Sequence, residues 1–187
     1  MAKQTDRIDP KLGAWLEEQP LFFVATAPAA PDGHVNVSPK GMDTMRVLGE
    51  HEVAYQDLTG SGSETIAHLR DNGRIVLMAC AFSGPPRIVR LHGRGEVVLP
   101  DEPAYATLDQ RFPPHVGARA YIRVAVTRIS SSCGYGVPLM EVQGPRDVLD
   151  RWSEKKGPDG LVAYRAERNA TSIDGLPAYP VPDRAEG

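Results

Sequence analysis

Hydrophobic positions along this chain fall mostly in short strand-like runs separated by Gly, Pro, Asn and Asp, with helical spacing appearing singly between them. Leu12, Trp15 and Leu16 repeat at i, i+3, i+4 after Asp9-Pro10, a capping pair, so a helix is predicted there that Pro20 stops. Leu21 to Ala27 reads as a strand, Asp32-Gly33 as a hairpin turn, and Val35 and Val37 alternate with Asn36 and Ser38 as a half-buried strand. Met45 to Leu48 is a short strand, Gly49 to Glu52 a polar turn, and Val53 to Asp57 another strand. Ser61 and Glu64 have capping-box spacing, predicting a helix over 62–72 with Ile66 and Leu69 on its apolar face and Asn72-Gly73 at its end.

The apolar run inside Arg74 to Phe82 is too continuous for an open face, which predicts a central strand covered on both sides. Ser83 to Pro86 is a tight turn. Arg87 to Leu99 is a long strand in which Gly93 and Gly95 mark a bulge or bend. A short helix over Pro100 to Phe112, a strand over Tyr121 to Ser130, a Ser/Gly-rich loop over Ser131 to Pro138 and a helix opening at Gly144-Pro145 follow. That last helix carries Val148, Leu149 and Trp152 and is closed by Gly157, and residues 168–187 form a turn-rich arm with an end expected to be disordered. Strands joined by short turns, with helices inserted singly, imply an α+β architecture: a closed or nearly closed antiparallel barrel with accessory helices. A doubly wound parallel fold would need regular strand–helix alternation. The expected organisation is one domain over 1–187, with a core of about 10–142 and a C-terminal helix and arm over 144–187.

A net charge of −3 gives no bulk attraction to nucleic acid or an acidic membrane. No run of ~18 apolar residues could span a bilayer, and MAKQTDRIDP lacks the apolar region of a secretory signal. Cys80 and Cys133 cannot staple a domain of this size, so both are read as reduced thiols and the expected location is the cytoplasm. The five histidines show no metal-ligand spacing, and no Gly-x-Ser-x-Gly elbow is present.

Two segments carry candidate chemistry. Ser38-Pro39-Lys40-Gly41 ends one strand with a lysine, and Thr59 to Thr65 opens a helix with three hydroxyls, Ser61, Ser63 and Thr65. Free N–H groups and the partial positive charge of a helix start suit a phosphate monoester. Arg87, Arg90 and Arg94 either line a basic cleft or decorate an outer strand face. The loop at 130–138 allows close backbone approach to a flat ligand; Cys133 within it has no adjacent base in sequence. Trp15 and Trp152 lie on apolar helix faces and are expected in the core.

Taken in order, VNVSPKG at 35–41, AYQDLTGSGSETIAHLRDNGRIVLM at 54–78, RIVRLHGRGEVV at 87–98, SSCGYGVPLMEV at 131–142 and NATSIDGLPAY at 169–179 resemble the pyridoxamine 5'-phosphate oxidase-like, FMN-binding split-barrel family. The resemblance implies a six-stranded antiparallel split barrel and a homodimer with flavin sites at the subunit interface. It implies flavin contacts from Ser38, Pro39 and Lys40, with Asn36 and Tyr55 in the cofactor-binding set. The same resemblance gives the phosphate to Asp57, Thr59, Ser61, Ser63 and Thr65. True pyridoxamine phosphate oxidases carry Ser-Arg-Lys at the phosphate loop and a C-terminal substrate-gripping Arg/His motif, and this chain shows neither, which argues against pyridoxamine phosphate oxidation itself. The implied activity is therefore an FMN-dependent oxidoreductase acting on an unidentified small molecule, with no side chain assigned as catalytic. An F420-dependent reductase and a non-catalytic flavin- or haem-binding stress or sensor protein are the alternatives.

Overall fold

A computed structural model describes residues 3–180. Eight antiparallel strands and four helices follow one another as β1 (Lys3–Thr5), α1 (Pro10–Glu17), β2 (Phe22–Thr26), β3 (Asn36–Lys40), β4 (Met45–Gly49), β5 (Glu52–Leu58), α2 (Glu64–Asn72), β6 (Arg74–Cys80), β7 (Ile88–Val98), α3 (Pro103–Asp109), β8 (Ala118–Ser132) and α4 (Val148–Arg168). The hydrogen-bonded order is β3-β2-β6-β7-β8-β5-β4, with β1 on β8. The path does not close: β3 and β4 are consecutive in the chain yet end it at opposite edges. The pattern's antiparallel barrel is present in the split form that the resemblance implied, with eight strands in place of six.

The local causes are those the residues supply. Asp9 accepts a 2.7 Å hydrogen bond from Leu12 N–H and Pro10 opens α1, whose Leu12 and Leu16 enter the core. Leu77, Leu91, Ile122, Val124 and Ile129 from the central strands pack there with Ile66 and Leu69 of α2. β7 and β8 shift register between His92 and Gly93, where a Cβ on Gly93 would come within 2.2 Å of the Ala125 carbonyl oxygen. The bulge read from sequence is therefore real, and it needs glycine because backbone fills the space.

Several expectations are corrected. The Ser61/Glu64 capping box does not form. Ser63 is the N-cap without a side-chain bond, and the Glu64 carboxylate is drawn to Ile173 N–H. The β2–β3 connection is a loop rather than a tight Asp32-Gly33 hairpin, because pairing stops at Thr26 and Asn36. β3 alternates as predicted but with its sense reversed: Val35 and Val37 are 71% and 62% exposed, while Asn36, Ser38 and Lys40 turn inward. β6 is central, yet only one face is in the core; Val76 and Met78 are half-buried on the other. α4 starts at Val148, and Gly157 (φ 65°, ψ 173°) breaks it as read, but helix resumes at Pro158, where the pattern assigned no element. The arm folds into turns on the barrel, and its expected disordered end, 181–187, lies outside the described residues.

Gly93→Ala should lower the urea midpoint by the equivalent of about 2–3 kcal/mol, because the new methyl meets a carbonyl that cannot move without breaking the β7–β8 ladder.

Candidate functional site

The inward face of β3 meets β5 and the start of α2. Lys40 Nζ donates to Asp57 Oδ1 at 3.0 Å, joining β3 at one end of the hydrogen-bonded path to β5, next to the other end. Arg119 Nε of β8 donates to Asp57 Oδ2 at 2.7 Å. Asn36 Nδ2 donates to Thr65 Oγ1 at 3.2 Å, and Ser38 Oγ donates to Asn36 Oδ1 at 3.3 Å. Lys40 Nζ also lies 5.8 Å from the centre of the Tyr55 ring. Six of the ten candidate cofactor residues, Asn36, Ser38, Lys40, Tyr55, Asp57 and Thr65, thus form one patch.

The other four are placed differently. Thr59 is buried: its hydroxyl donates to Gly117 O at 2.8 Å and accepts from Arg165 Nε at 2.9 Å. Ser63 is buried and donates to Thr171 O at 3.4 Å. Ser61 is exposed on the rim, and Pro39 faces outward on β3.

Electrostatics centre on Asp57. Burial pushes its carboxyl up, but Arg119 and Lys40 outweigh burial and hold it down at about 2. The same low-polarity setting pushes the Tyr55 hydroxyl well above its ordinary value, with the Asp57 charge adding to the rise. That hydroxyl lies beside Thr65, yet it is buried with no hydrogen-bond partner of acceptable geometry. His68 on α2 shares Nδ1 with Thr26 Oγ1 at 3.0 Å and leaves Nε2 buried and unpartnered.

The cations missing from the 59–65 loop come from elsewhere in the chain. Arg119 NH2 donates to Gly62 O at 2.9 Å and NH1 to Asn169 Oδ1 at 2.7 Å. Asn169 Nδ2 in turn donates to Gly60 O at 2.9 Å, and Arg165 NH2 to Ala118 O at 3.1 Å. Arg119 and Asn169 hold the loop by its carbonyls, and Arg165 ties the Thr59 hydroxyl to β8. Sequence reading missed them because their partners lie far along the chain; an arginine flanked by two alanines at the mouth of a strand was the one available hint. The arm adds a further tie: His34 Nδ1 pairs with Asp174 Oδ1 at 2.6 Å. The hydrogen bond and charge of Asp174 raise His34 above its ordinary pKa, and His34 lowers that of Asp174.

A cavity of about 1240 Å³ opens beside the patch. One wall is Thr59 to Ser61 and the turn Gly41 to Asp43, where Met42 (φ 63°) and Asp43 (φ 55°) both adopt left-handed backbone. The other wall is the 140–152 segment with Tyr164, so Trp152, expected in the core, lines the cavity instead and packs edge-on against Tyr164 at 5.0 Å. Arg87, Arg90 and Arg94 do not share a cleft. Arg87 stacks on Trp15 at 4.8 Å, Arg90 donates to Ser132 and Arg94 to the Asn72 carbonyl. Cys133 is exposed at a separate cavity of about 560 Å³ lined by Arg87 and Trp15. Among the described residues no helix is long and apolar enough to cross a membrane.

The family model described as pyridoxamine 5'-phosphate oxidase matches residues 8–133. The chain belongs to this family. A pyridoxamine 5'-phosphate oxidase family protein of Aspergillus flavus, ustO, is 41% identical over 189 aligned residues, covering 92% of this chain and 76% of that protein. Two solved structures share the fold. HupZ of Group A Streptococcus has a TM-score of 0.52 at 23% identity, covering 65% of this chain and 91% of HupZ. A Lactobacillus delbrueckii protein described as a candidate pyridoxamine 5'-phosphate oxidase has a TM-score of 0.53 at 20% identity, over 68% of this chain and 98% of that one.

Asp57→Asn should cost about 3–5 kcal/mol in a denaturant titration, since it strands Arg119 and Lys40 without their shared counter-charge. Asp57 titrates near 2 when folded and near 3.8 otherwise. Its contribution is thus complete above pH ~4 and fades as pH falls toward 2, so the acid-unfolding midpoint of the variant should respond less steeply over that window.

Proposed function

We propose that the chain binds a flavin mononucleotide against the inward face of β3 and the 59–65 loop, and that it is an oxidoreductase acting on a small molecule as a homodimer. The observation that carries this reading is the reversed alternation of β3: an edge strand turns Asn36, Ser38 and Lys40 toward Asp57 and Thr65. A strand that served only the core would turn its valines there instead.

The residues fit such a group. Tyr55 offers a buried hydroxyl with no partner, beside Lys40, whose side chain keeps 21% exposure. Ser38 is half-buried and Ser61 exposed, so their hydroxyls are reachable from the rim. Arg119 and Arg165 are committed to holding the loop in shape, and Ser63 and Thr65 are buried. The bound flavin supplies the electron transfer itself. The protein's part is to position it and to hold Lys40, oriented by Asp57, where a positive charge favours an anionic reduced ring.

The homodimer is supported by the outer face of the sheet. Val37 and Pro39 of β3, Phe23 and Ala25 of β2, and Val76 and Met78 of β6 present a continuous apolar surface that no element among the described residues covers. A surface of this kind is an expected subunit contact.

The purified protein should show absorbance bands near ~370 and ~450 nm; a single band near ~420 nm would instead indicate F420, and a Soret band haem. Lys40→Ala should weaken FMN binding about tenfold in a fluorescence titration, and an unchanged affinity would remove Lys40 from the site. In sedimentation experiments, Val37→Asp should shift the protein toward the monomer, because a charge would enter the apolar face at its most exposed strand.

A further inference from the structure

The cavity of about 1240 Å³ is larger than a pocket for one small ligand usually is. Its inner wall belongs to the barrel. Most of its outer wall lies in residues 140–152, beyond the stretch that the family model matches. That outer wall has a specific chemistry. Phe82, Met140, Leu149, Trp152 and Tyr164 make it aromatic and apolar.

One carboxylate, Asp150, is held at this wall in a fixed orientation. His115 Nδ1 accepts from Gly117 N–H at 2.9 Å, so the ring proton must sit on Nε2, which lies 2.7 Å from Asp150 Oδ1. Both ring nitrogens are therefore engaged and His115 is a positioning residue. Asp150 keeps 42% of its side chain exposed, and among the described residues Oδ2 has no partner. The other charges in the lining do not cancel it. Asp43 is neutralised by Arg46 in a two-point contact, and Glu141 and Arg146 add one charge of each sign. Lys156, outside the lining, sits over both the Trp152 and Tyr164 rings, so the pair already seats a cation.

We propose that this cavity takes a flat, largely apolar small molecule that carries a basic amine, the rings against Trp152 and Tyr164 and the amine on Asp150. This names the substrate class of the site described above, and it rests on the flavin reading only for calling the occupant a substrate. An aromatic wall holds a planar body with little loss of conformational freedom. A pre-oriented carboxylate selects a cation over a neutral ring of the same shape.

The test uses two dyes built on one tricycle: proflavine, cationic at neutral pH, and acridine, neutral there. The chain has two tryptophans, so in the Trp15→Phe protein all tryptophan emission comes from Trp152. Proflavine should quench it saturably and bind about fivefold or more tightly than acridine, with and without FMN present. Asp150→Asn keeps an oxygen for His115 and removes the charge; it should bring proflavine down to the acridine level. Equal affinities for the two dyes in the unmodified chain would overturn the proposal, whatever the stability of the variant. So would the absence of saturable quenching, or displacement of proflavine by FMN, which would make the cavity the cofactor's own. FMN uptake is followed separately by its visible bands, so a protein that binds proflavine but no FMN refutes the flavin reading and leaves this one standing.

Discussion

The Asp57 carboxylate, shared between Lys40 and Arg119, is the contact on which the arrangement depends. Its two oxygens reach strands from different parts of the sheet. Through Arg119 they also reach the 59–62 loop and the arm at Asn169. A buried charge trio has a large desolvation penalty. Three features offset it here. Both terminal nitrogens of Arg119 find an acceptor, Lys40 keeps part of its hydration, and two cations lie within hydrogen-bond distance of one anion. What the trio contributes beyond stability is registration. An open sheet has no hydrogen-bond ladder across its seam, and one ion pair fixes how the β3 edge faces β5.

Much of the architecture was legible because it is written in local pattern. The strands announce themselves by alternation, and α1 by Asp9-Pro10. The β7 kink is marked by a glycine that backbone crowding requires. The sense of β3 was not legible: period two separates two faces without saying which one meets the core, and here the apolar face is outward. The capping box failed for a similar reason. Glu64 had the right spacing, but Ile173 N–H, far along the chain, competes for its carboxylate.

The candidate patch was half legible. Lys40 and Thr65 were named from their own segments and Asp57 from the family resemblance, and the fold does bring these residues together. The residues that hold the loop rigid, Arg119, Arg165 and Asn169, carry no signature in the neighbourhood of the loop they serve. A split between barrel and C-terminal third follows. The barrel builds the polar inner face, and the chain beyond residue 133 builds the aromatic far side of the cavity. Different tasks can then change in separate parts of one chain.

Asn169 sets a constraint in time as well as in space. Synthesis runs from the N-terminus, so the eight strands leave the ribosome before the amide that completes the Arg119 guanidinium and ties down Gly60. A nascent barrel therefore carries an incompletely solvated internal cation until its last helix has emerged. The 59–62 loop thus waits for a tie made after all eight strands have been synthesised.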